Sequence, residues 1–430
     1  MQAEHGISSG FTTRKNLIKA IGPGILMAGA AIGGSHLVSS TQAGALFGWS
    51  LLGVMLLVNL FKYPFFLYGE RYRAATGESI LHGYKRLGRG ALYAFFMLNL
   101  INAALNIAGV SMITASLAIN IGLDFIPIPE STALMALLCA GIIVLGRYRL
   151  LDTVAKVVVI SLTISTLAAI TAALWTGPVA EADFISPTPW NLASVGFIIL
   201  FMGWMPAPID VAAWPSLWMD SRERQTRHRA TMSEAMTDFH IGYIGTVVTA
   251  MFFLGLGALV LHGSGQEFPE QSAAFASQFI SMYVDTIGPW SYWVIAIAAF
   301  SAMFSTTLTC VDGWPRSLAV CSILIAERSW ENRFRTIHTI WIALCVAATY
   351  VIVKFFLGTL GAMLQVAMII SFLTSPIFAW LNYRAIQLDV VPDIFRPRKP
   401  LRILSWAGIL FFIVFTLVFL VWFFHDKQAQ

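Results

Sequence analysis

Long apolar runs dominate the hydrophobic pattern of the chain. A run of about 20 apolar residues is long enough for a helix to cross a bilayer, and such runs recur with polar stretches between them. They lie near 20–48, 49–69, 91–120, 131–146, 152–175, 192–218, 240–261, 287–313, 338–357, 360–383 and 403–424. The pattern therefore predicts about eleven membrane-spanning helices, which we number from first to eleventh in chain order.

Glycines and polar residues interrupt the first span. Gly33, Gly34, Ser35 and His36 follow directly on an apolar run, and paired glycines are unfavourable inside a helix because glycine loses the most backbone entropy on ordering. In hydrocarbon, non-helical backbone is tolerated only where it contacts protein or lines a cavity. The pattern predicts two half-helices, over about 20–32 and 37–48, with an unwound hinge between them.

The sixth span is predicted to be broken as well. Pro206 and Pro208 each remove an amide hydrogen and clash with the preceding turn, and Asp210 follows them. Two broken helices five spans apart are typical of five-plus-five inverted repeats, which place a substrate site at the breaks. The alternative is that the prolines only kink this span.

The repeat pattern predicts one transmembrane domain over 1–430. Repeat one covers about 17–175, repeat two about 190–385, and an additional helix about 403–424.

Composition and charge support an all-α polytopic membrane protein. The 430 residues are 57% hydrophobic and 11% charged, whereas soluble proteins carry about 25% charged residues. The formal charge of +5 follows the loops and indicates no nucleic-acid partner. Every second loop is basic, and the basic residues there are Arg71, Arg73, Lys85, Arg86, Arg89, Arg147, Arg149, Arg222, Arg224, Arg227, Arg229, Arg328, Arg333, Arg335, Arg396, Arg398, Lys399 and Arg402.

This charge asymmetry predicts an orientation. Basic loops stay in the cytoplasm, and the loops near 122–130, 177–190 and 262–286 carry no Lys or Arg. Lys354, at the outer end of the ninth span, is an exception. We expect a plasma (inner) membrane protein with its N-terminus in the cytoplasm and its C-terminus outside.

Several function classes find no support in the sequence. The four cysteines show no paired spacing, so neither a disulfide framework nor a zinc site is predicted. The sequence contains neither a cofactor motif nor a nucleophile–base constellation, so an enzyme is not expected. The expected partners are the lipid bilayer and a small substrate. The oligomeric state stays open, with a monomer as one option.

Several short motifs resemble the Nramp family of proton-coupled divalent-metal transporters, which share the LeuT fold. They are Gly22-Pro-Gly24, the segment 42–48 (QAGALFG), Ala75-Thr-Gly77, Met205-Pro206 and Gln365. The resemblance implies a LeuT-type bundle with the first and sixth helices broken. It also implies a symporter that moves a metal ion by alternating access.

The chain departs from the family at the positions that carry its chemistry. The family's Asp-Pro-Gly-Asn motif, whose Asp and Asn hold the metal, corresponds to 33–36, which reads Gly-Gly-Ser-His. Its Met-Pro-His motif corresponds to 205–207, which ends in alanine. The acidic residues of helix three, which transfer protons in the family, align with Ala108 and Ser111.

The breaks supply the candidate substrate contacts. These are Gly33, Gly34, Ser35, His36, Met202, Met205 and Gln365. A neutral His36 imidazole with the thioethers of Met202 and Met205 would form a soft metal site, whereas a protonated ring would repel a cation or attract an anion. Alternatively, His36 bonds the unwound backbone and both methionines fill the core.

Lys62, deep in the second span, is the first candidate coupling residue. A charge there requires a partner, and Asp210 and Asp312 are the expected ones. Lys62 could replace a coupling ion. The alternatives are a buried ion pair and a side chain that reaches the interface.

Polar residues on the third and eighth spans complete the predicted pathway set. They are Asn99, Asn102, Asn106, Thr306 and Thr309. The asparagines share one helix face and either line a passage or bond neighbouring helices. The resemblance implies that eighth-span hydroxyls hold sodium against the first span, as in sodium-coupled relatives; otherwise such hydroxyls bond their own backbone.

Two functions remain after these considerations. The leading hypothesis is an Nramp-related secondary transporter of a divalent transition metal, manganese or iron, through a rebuilt site without the family's Asp ligand. The alternative is a LeuT-fold transporter of a small organic or anionic solute. Gly33 and Gly34 would leave room for it, and half-helix N-termini bind carboxylates. A receptor that has kept the fold is a third class, but no signalling domain is present.

Overall fold

The computed structural model describes residues 14–181, 183–265, 272–327, 333–356 and 359–429. All regular structure within these ranges is helical, and Arg328 lies outside them. The α-helices are Arg14–Ala20, Pro23–Ala31, Thr41–Phe47, Leu52–Thr76, Ile80–Leu87, Arg89–Ile119, Ile128–Thr176, Leu192–Trp204, Trp214–Thr226, Met232–Leu256, Ser272–Ile287, Tyr292–Ile325, Phe334–Phe355, Leu360–Leu373, Ser375–Ile386 and Lys399–Ala429. Short 3-10 helices cover Gly48–Leu51, Ile209–Ala213, Pro289–Ser291 and Asp393–Phe395, and π-helices cover Gly34–Ser40 and Gly257–Leu261.

The predicted polytopic α-helical fold is confirmed. Among the described residues, nine stretches are long and apolar enough to span a membrane, and the pair Leu360–Leu373 and Ser375–Ile386, bent by 40°, forms a tenth. One of the nine, Pro23–Thr76, has 54 residues and would extend about 80 Å if it were straight. It joins the first and second spans through a turn at Gly48, whose φ is +55°. With this stretch counted as two, the described residues hold eleven spans.

The break in the first span is shorter than predicted. The first half-helix, Pro23–Ala31, ends before Ile32 and Gly33, and the second half-helix starts as a π-helix at Gly34. The amides of His36 and Leu37 already bond the carbonyl of Gly33, at 3.0 and 2.8 Å. His36 therefore lies inside the second half-helix and not in an unwound hinge, which corrects the predicted boundary.

The break in the sixth span lies where the prolines predict it. Leu192–Trp204 ends before Met205, and helical structure resumes at Ile209 after Pro208. The prolines therefore break this span and do not merely kink it. The second half continues to Thr226, and residues 227–231 separate it from the seventh span.

The fourth and fifth spans are separate stretches, Ile128–Gly146 and Tyr148–Thr176, as predicted, although the short connection between them is helical and not a loop. One other predicted boundary is wrong. The eighth span runs over Tyr292–Ile325 rather than 287–313, so Asp312 lies inside a helix.

Glycines place the first span in backbone contact with the seventh. A Cβ on Gly24 would lie 2.3 Å from the carbonyl oxygen of Asp238, and one on Gly242 would lie 2.2 Å from that of Gly24. Nearer the other end, a Cβ on Gly257 would lie 2.1 Å from the carbonyl oxygen of Thr41. Small residues permit such close helix packing in membranes.

The Gly257 contact predicts a stability effect. We expect Gly257→Ala to lower the free energy of unfolding by about 1–3 kcal/mol, because the added methyl group forces apart two packed backbones. Thermal denaturation in detergent measures this effect. The control is Gly245→Ala on the neighbouring helix, where nothing lies within 4 Å of the added Cβ. Equal melting of the two variants would contradict the prediction.

Candidate functional site

A small cavity of about 30 Å³ lies between the two breaks. Among the described residues, no charged side chain, histidine or methionine lines it. Its polar side chains are Ser35, Asn106 and Thr306, with the thiol of Cys310 and the indoles of Trp204, Trp214 and Trp314. In this conformation the cavity has roughly the volume that one water molecule occupies in the liquid.

Protein side chains fill the space beside the paired glycines. A Cβ on Gly33 would lie 2.5 Å from Thr306, and one on Gly34 would lie 2.4 Å from the ring of Trp204. The indole nitrogen of Trp204 donates to Oδ1 of Asn106 at 2.7 Å, which fixes the ring. The room expected at these glycines for a larger ligand is therefore occupied in this structure.

His36 is fully buried and does not line the cavity. Its Nε2 lies 2.9 Å from the carbonyl oxygen of Thr246 on the seventh span, and its Nδ1 lies 2.7 Å from Oγ of Ser35. The carbonyl requires a donor, so Nε2 carries the proton and Nδ1 accepts from Ser35. In this arrangement neither nitrogen has a lone pair available for a metal.

The other predicted metal ligands are also separated. Met202 and Met205 are fully buried in the core and do not line the cavity. Gln365 is exposed in a different cavity, of about 390 Å³, beside Ser39. Among the described residues, no group of three or more His, Cys, Asp or Glu side chains is arranged to hold a metal. The structure thus does not gather the predicted ligands at one point.

Lys62 is fully buried and bonds the broken sixth span. Its Nζ donates to the carbonyl oxygens of Met202, Gly203 and Ala207 at 2.9, 2.9 and 3.0 Å. The last carbonyls of a helix have no partner within that helix and form the negative end of its dipole. The expected partner Asp210 acts on Lys62 only through its charge.

The two aspartates have different partners. Oδ2 of Asp210 accepts from the indole nitrogen of Trp314 at 2.7 Å. Asp312 pairs with Arg316 at 2.7 Å and accepts from the indole nitrogen of Trp218 at 2.8 Å. Asp312 was expected as a partner of Lys62, but it belongs to this separate buried ion pair.

The two threonines of the eighth span behave differently. Thr306 donates towards the carbonyls of Gly29 and Ile32, at 2.9 and 3.1 Å, and so connects the eighth span to the end of the first half-helix. Thr309 bonds only carbonyls of its own helix, those of Ser305 and Thr306. Thr306 thus contacts the carbonyls of the first span directly. One expectation was that a sodium ion would lie between this hydroxyl and the first span.

The asparagines of the third span mainly hold helices together. Asn99 donates to Ser317 on the eighth span and Asn102 to Thr374 at the bend of the tenth. Oδ1 of Asn106 accepts from Trp204 and also from Ser371 at 3.3 Å. Only Asn106 of the three lines the central cavity.

Sequence reasoning missed Trp204, Trp214, Trp314 and Cys310 as lining residues. Trp204 directly precedes the Met205-Pro206 break. A tryptophan at a break in a membrane helix requires a hydrogen-bond partner for its indole nitrogen, and this could have indicated a position in the cavity lining. It also missed a buried carboxylate pair, Glu70 and Asp238.

A larger cavity of about 680 Å³ opens at the end of the bundle that carries the arginines. We call this the basic end; the arginines lining this cavity are Arg73, Arg149, Arg224, Arg316 and Arg335. His82, on the surface helix Ile80–Leu87, also lines it, and burial lowers the pKa of His82 below its ordinary value of 6.5. Its ring is therefore neutral at pH 7, and the arginines give this cavity its positive charge.

A family model described as natural resistance-associated macrophage protein-like, Nramp, matches residues 24–422. The chain belongs to the Nramp family. This match confirms the resemblance that the sequence motifs indicated. Nramp proteins are membrane transporters. A similar protein, the uncharacterized protein PM0681 of Pasteurella multocida (strain Pm70), is 40% identical over 404 residues, covering 93% of this chain and 92% of that protein.

Solved structures of transporters are similar to this Nramp-family chain. A mutant of the manganese transporter of Eremococcus coleocola has a TM-score of 0.68 at 13% identity, over 96% of this chain and 88% of that one. MhsT in complex with L-phenylalanine has a TM-score of 0.64 at 12% identity, over 96% and 99%. At these identities the likeness shows the fold, which is the expected LeuT type.

The contacts of Lys62 predict a structural role that a surface lysine does not have. We expect Lys62→Met to lower the free energy of unfolding by about 3–5 kcal/mol, because it leaves three buried carbonyls without a donor. Thermal denaturation in detergent measures the loss, with Lys85→Met on the surface helix as the control. A Lys62→Met protein that melts with the parent would contradict the assignment.

Proposed function

We propose that this Nramp-family chain is a secondary transporter that moves a small solute without net positive charge, organic or anionic, by alternating access. The observation that carries the proposal is the uncharged lining of the central cavity. A dication in a buried site requires nearby carboxylates or other ligands with free lone pairs. This lining supplies no carboxylate, imidazole or thioether.

The carbonyl ends of both broken helices support the same conclusion. Unwound carbonyls are the groups that hold cations in transporters with broken helices. In the sixth span they accept from Lys62. In the first span, the hydroxyl of Thr306 lies 2.9 and 3.1 Å from the carbonyl oxygens of Gly29 and Ile32 and donates between them, and the carbonyl of Ala31 accepts from the amide of Gly33 at 2.8 Å. Protein donors, one of them charged, thus occupy the places where a cation would bind.

The second half-helix of the first span begins at the central cavity. It therefore directs its amide end, the positive end of the helix dipole, towards the cavity. It begins at Gly34, runs without interruption through Phe47, and has both Gly34 and Ser35 in the cavity lining. The first amides of a helix have no acceptor within that helix and favour negative charge. A carboxylate or another acceptor group of the solute fits this end.

The arrangement of cavities supports alternating access. The cavity of about 390 Å³ beside Gln365 and the cavity of about 680 Å³ at the basic end are separate from the central one, and in the proposed mechanism each would open towards the breaks in turn. From the loop charges we propose that the basic end faces the cytoplasm of the inner membrane, with the C-terminus outside. Lys354, the exception to the charge rule, pairs with Glu130 at 2.6 Å.

A divalent metal, manganese or iron, is the second candidate. One specific observation favours it, because the central cavity, of about 30 Å³, matches an ion better than an organic solute in this conformation. Metal transport would require His36, Met202 or Met205 to turn towards the cavity in another state.

Uptake into proteoliposomes distinguishes the two candidates. We expect no saturable uptake of Mn²⁺, and saturable uptake of at least one compound in a panel of labelled amino acids and small monocarboxylates. Gly34→Ala should lower that uptake more than tenfold, because its methyl group would lie 2.4 Å from the ring of Trp204. The matched control is Gly53→Ala, where nothing lies within 4 Å of the added Cβ.

The opposite outcome is equally clear. Saturable Mn²⁺ uptake that is lost in His36→Ala or Met205→Ala, in protein that remains folded, would replace the proposed cargo with the metal. Uptake of neither class by folded protein, with binding of a panel compound that raises the melting temperature, would indicate a receptor instead.

A further inference from the structure

Glu70 is a buried carboxylate without a hydrogen-bond partner. It lies in the second span, its side chain is 0% exposed, and neither of its oxygens has a partner among the described residues. A buried ionised carboxylate without donors is strongly unfavourable, and such a group takes up a proton instead.

Asp238, on the seventh span, is the neighbouring carboxylate. Its two oxygens accept from the amides of Gly22 at 3.0 Å and Gly24 at 2.7 Å. These amides begin the first half-helix, Pro23–Ala31, where a negative charge is most favourable. The charge on Asp238 therefore holds this half-helix against the seventh span, at the close contact of Gly24 with Gly242.

Glu70 and Asp238 line one cavity of about 20 Å³, and their charges repel each other. The other charged or titratable side chains around this cavity are Arg73, Arg222, Glu223, His228 and Arg229. None of them donates to Glu70. Lys156 and Arg222 act on Asp238 through their charge.

Most of these neighbours have partners elsewhere. Arg73 pairs with Asp220 and Glu223, at 3.1 and 3.0 Å. Arg222 and Lys156 both pair with Asp152, at 3.1 and 2.8 Å. His228 pairs with Glu234 at 2.8 Å. Arg229, the remaining cation around the cavity, is exposed to solvent and does not donate to Glu70. Glu70 therefore has no counter-ion in hydrogen-bond contact, and the charge of Asp238 repels it.

We propose that Glu70 and Asp238 form a proton-binding site that controls whether the first half-helix stays docked. With a proton on Glu70, the pair carries one negative charge, and Asp238 uses it to cap the half-helix. When that proton leaves, two adjacent buried carboxylates repel each other and the cap is weakened. The half-helix has a break after it and a short linker before it, so it can move as a unit.

This site would couple proton release to opening at the basic end. Only this coupling to opening rests on the proposed alternating-access function; the proton-binding site itself does not depend on it. The docked state binds one proton more than the released state. The equilibrium constant for docking should therefore change by up to about tenfold per pH unit over the range in which Glu70 titrates. Docking is favoured at low pH and release at high pH.

Cysteine labelling tests the inference without knowledge of the cargo. Ala28 lies on the half-helix and is 3% exposed, and the four native cysteines are buried. We expect the labelling of Ala28→Cys by a maleimide, in purified detergent-solubilised protein, to accelerate by up to about tenfold per unit as the pH rises. Gly90→Cys, at an exposed position with nothing within 4 Å, corrects for the reactivity of the thiol itself.

Two substitutions in the Ala28→Cys protein assign the effect to the carboxylates. Glu70→Gln imitates the protonated state, so labelling should be slow at every pH. Asp238→Asn removes the charged cap, so labelling should be fast at every pH. The control Glu327→Gln, at an exposed residue paired with Arg89, should behave as the parent.

The proposal would be overturned by corrected labelling that does not change with pH in the parent. It would equally be overturned by a pH dependence that persists in Glu70→Gln. If Asp238→Asn fails to fold, the comparison of Glu70→Gln with Glu327→Gln still shows whether the pH dependence of labelling requires Glu70. Since labelling does not measure flux, its failure would leave the proposed cargo untouched, and failure of uptake would leave this site untouched.

Discussion

The ammonium of Lys62 and the three carbonyls of the broken sixth span form the interaction on which the centre of this protein depends. A break in a membrane helix exposes carbonyl groups that water cannot satisfy. Here the chain supplies its own cation from the second span, at 2.9–3.0 Å from all three oxygens. The break is thereby kept open without an ion, and the carbonyl cluster is not available to a dissolved cation.

The same principle governs the first span. Its last carbonyls are satisfied by the hydroxyl of Thr306 and the amide of Gly33, and its free amides at the start are satisfied by Asp238. What remains open towards the central cavity is the amide end of the second half-helix at Gly34. The polarity of the unsatisfied backbone, more than any single side chain, therefore favours a solute with an acceptor group over a metal.

The buried carboxylates at the basic end connect this arrangement to motion. Asp238 stabilises the docked half-helix only while it carries its charge, and Glu70 beside it has no donor to support a charge of its own. The third span, Arg89–Ile119, contains no acidic residue. Protons in this chain would therefore act at the second and seventh spans, through a helix cap rather than through the cargo site.

The sequence by itself determined the spans and the two breaks. About eleven apolar runs fix the number of helices because the thickness of the bilayer fixes their length, and the paired glycines and prolines fix the breaks because those residues cannot continue a helix. Family membership also followed from short motifs such as Gly22-Pro-Gly24. Helix ends were predicted less well: the eighth span continues past Gly313 and Pro315 to Ile325.

Only the tertiary structure decided which way the polar groups point. His36 turns to Thr246 on the seventh span because the second half-helix begins at Gly34 and sets its direction. Lys62 bonds the carbonyls of Met202, Gly203 and Ala207 and no aspartate, whereas Asp210 and Asp312 accept from indoles on other helices. Such partners are separated by 94 to 210 residues along the chain, so local pattern carries no information about them. Their choice is made by how helices pack.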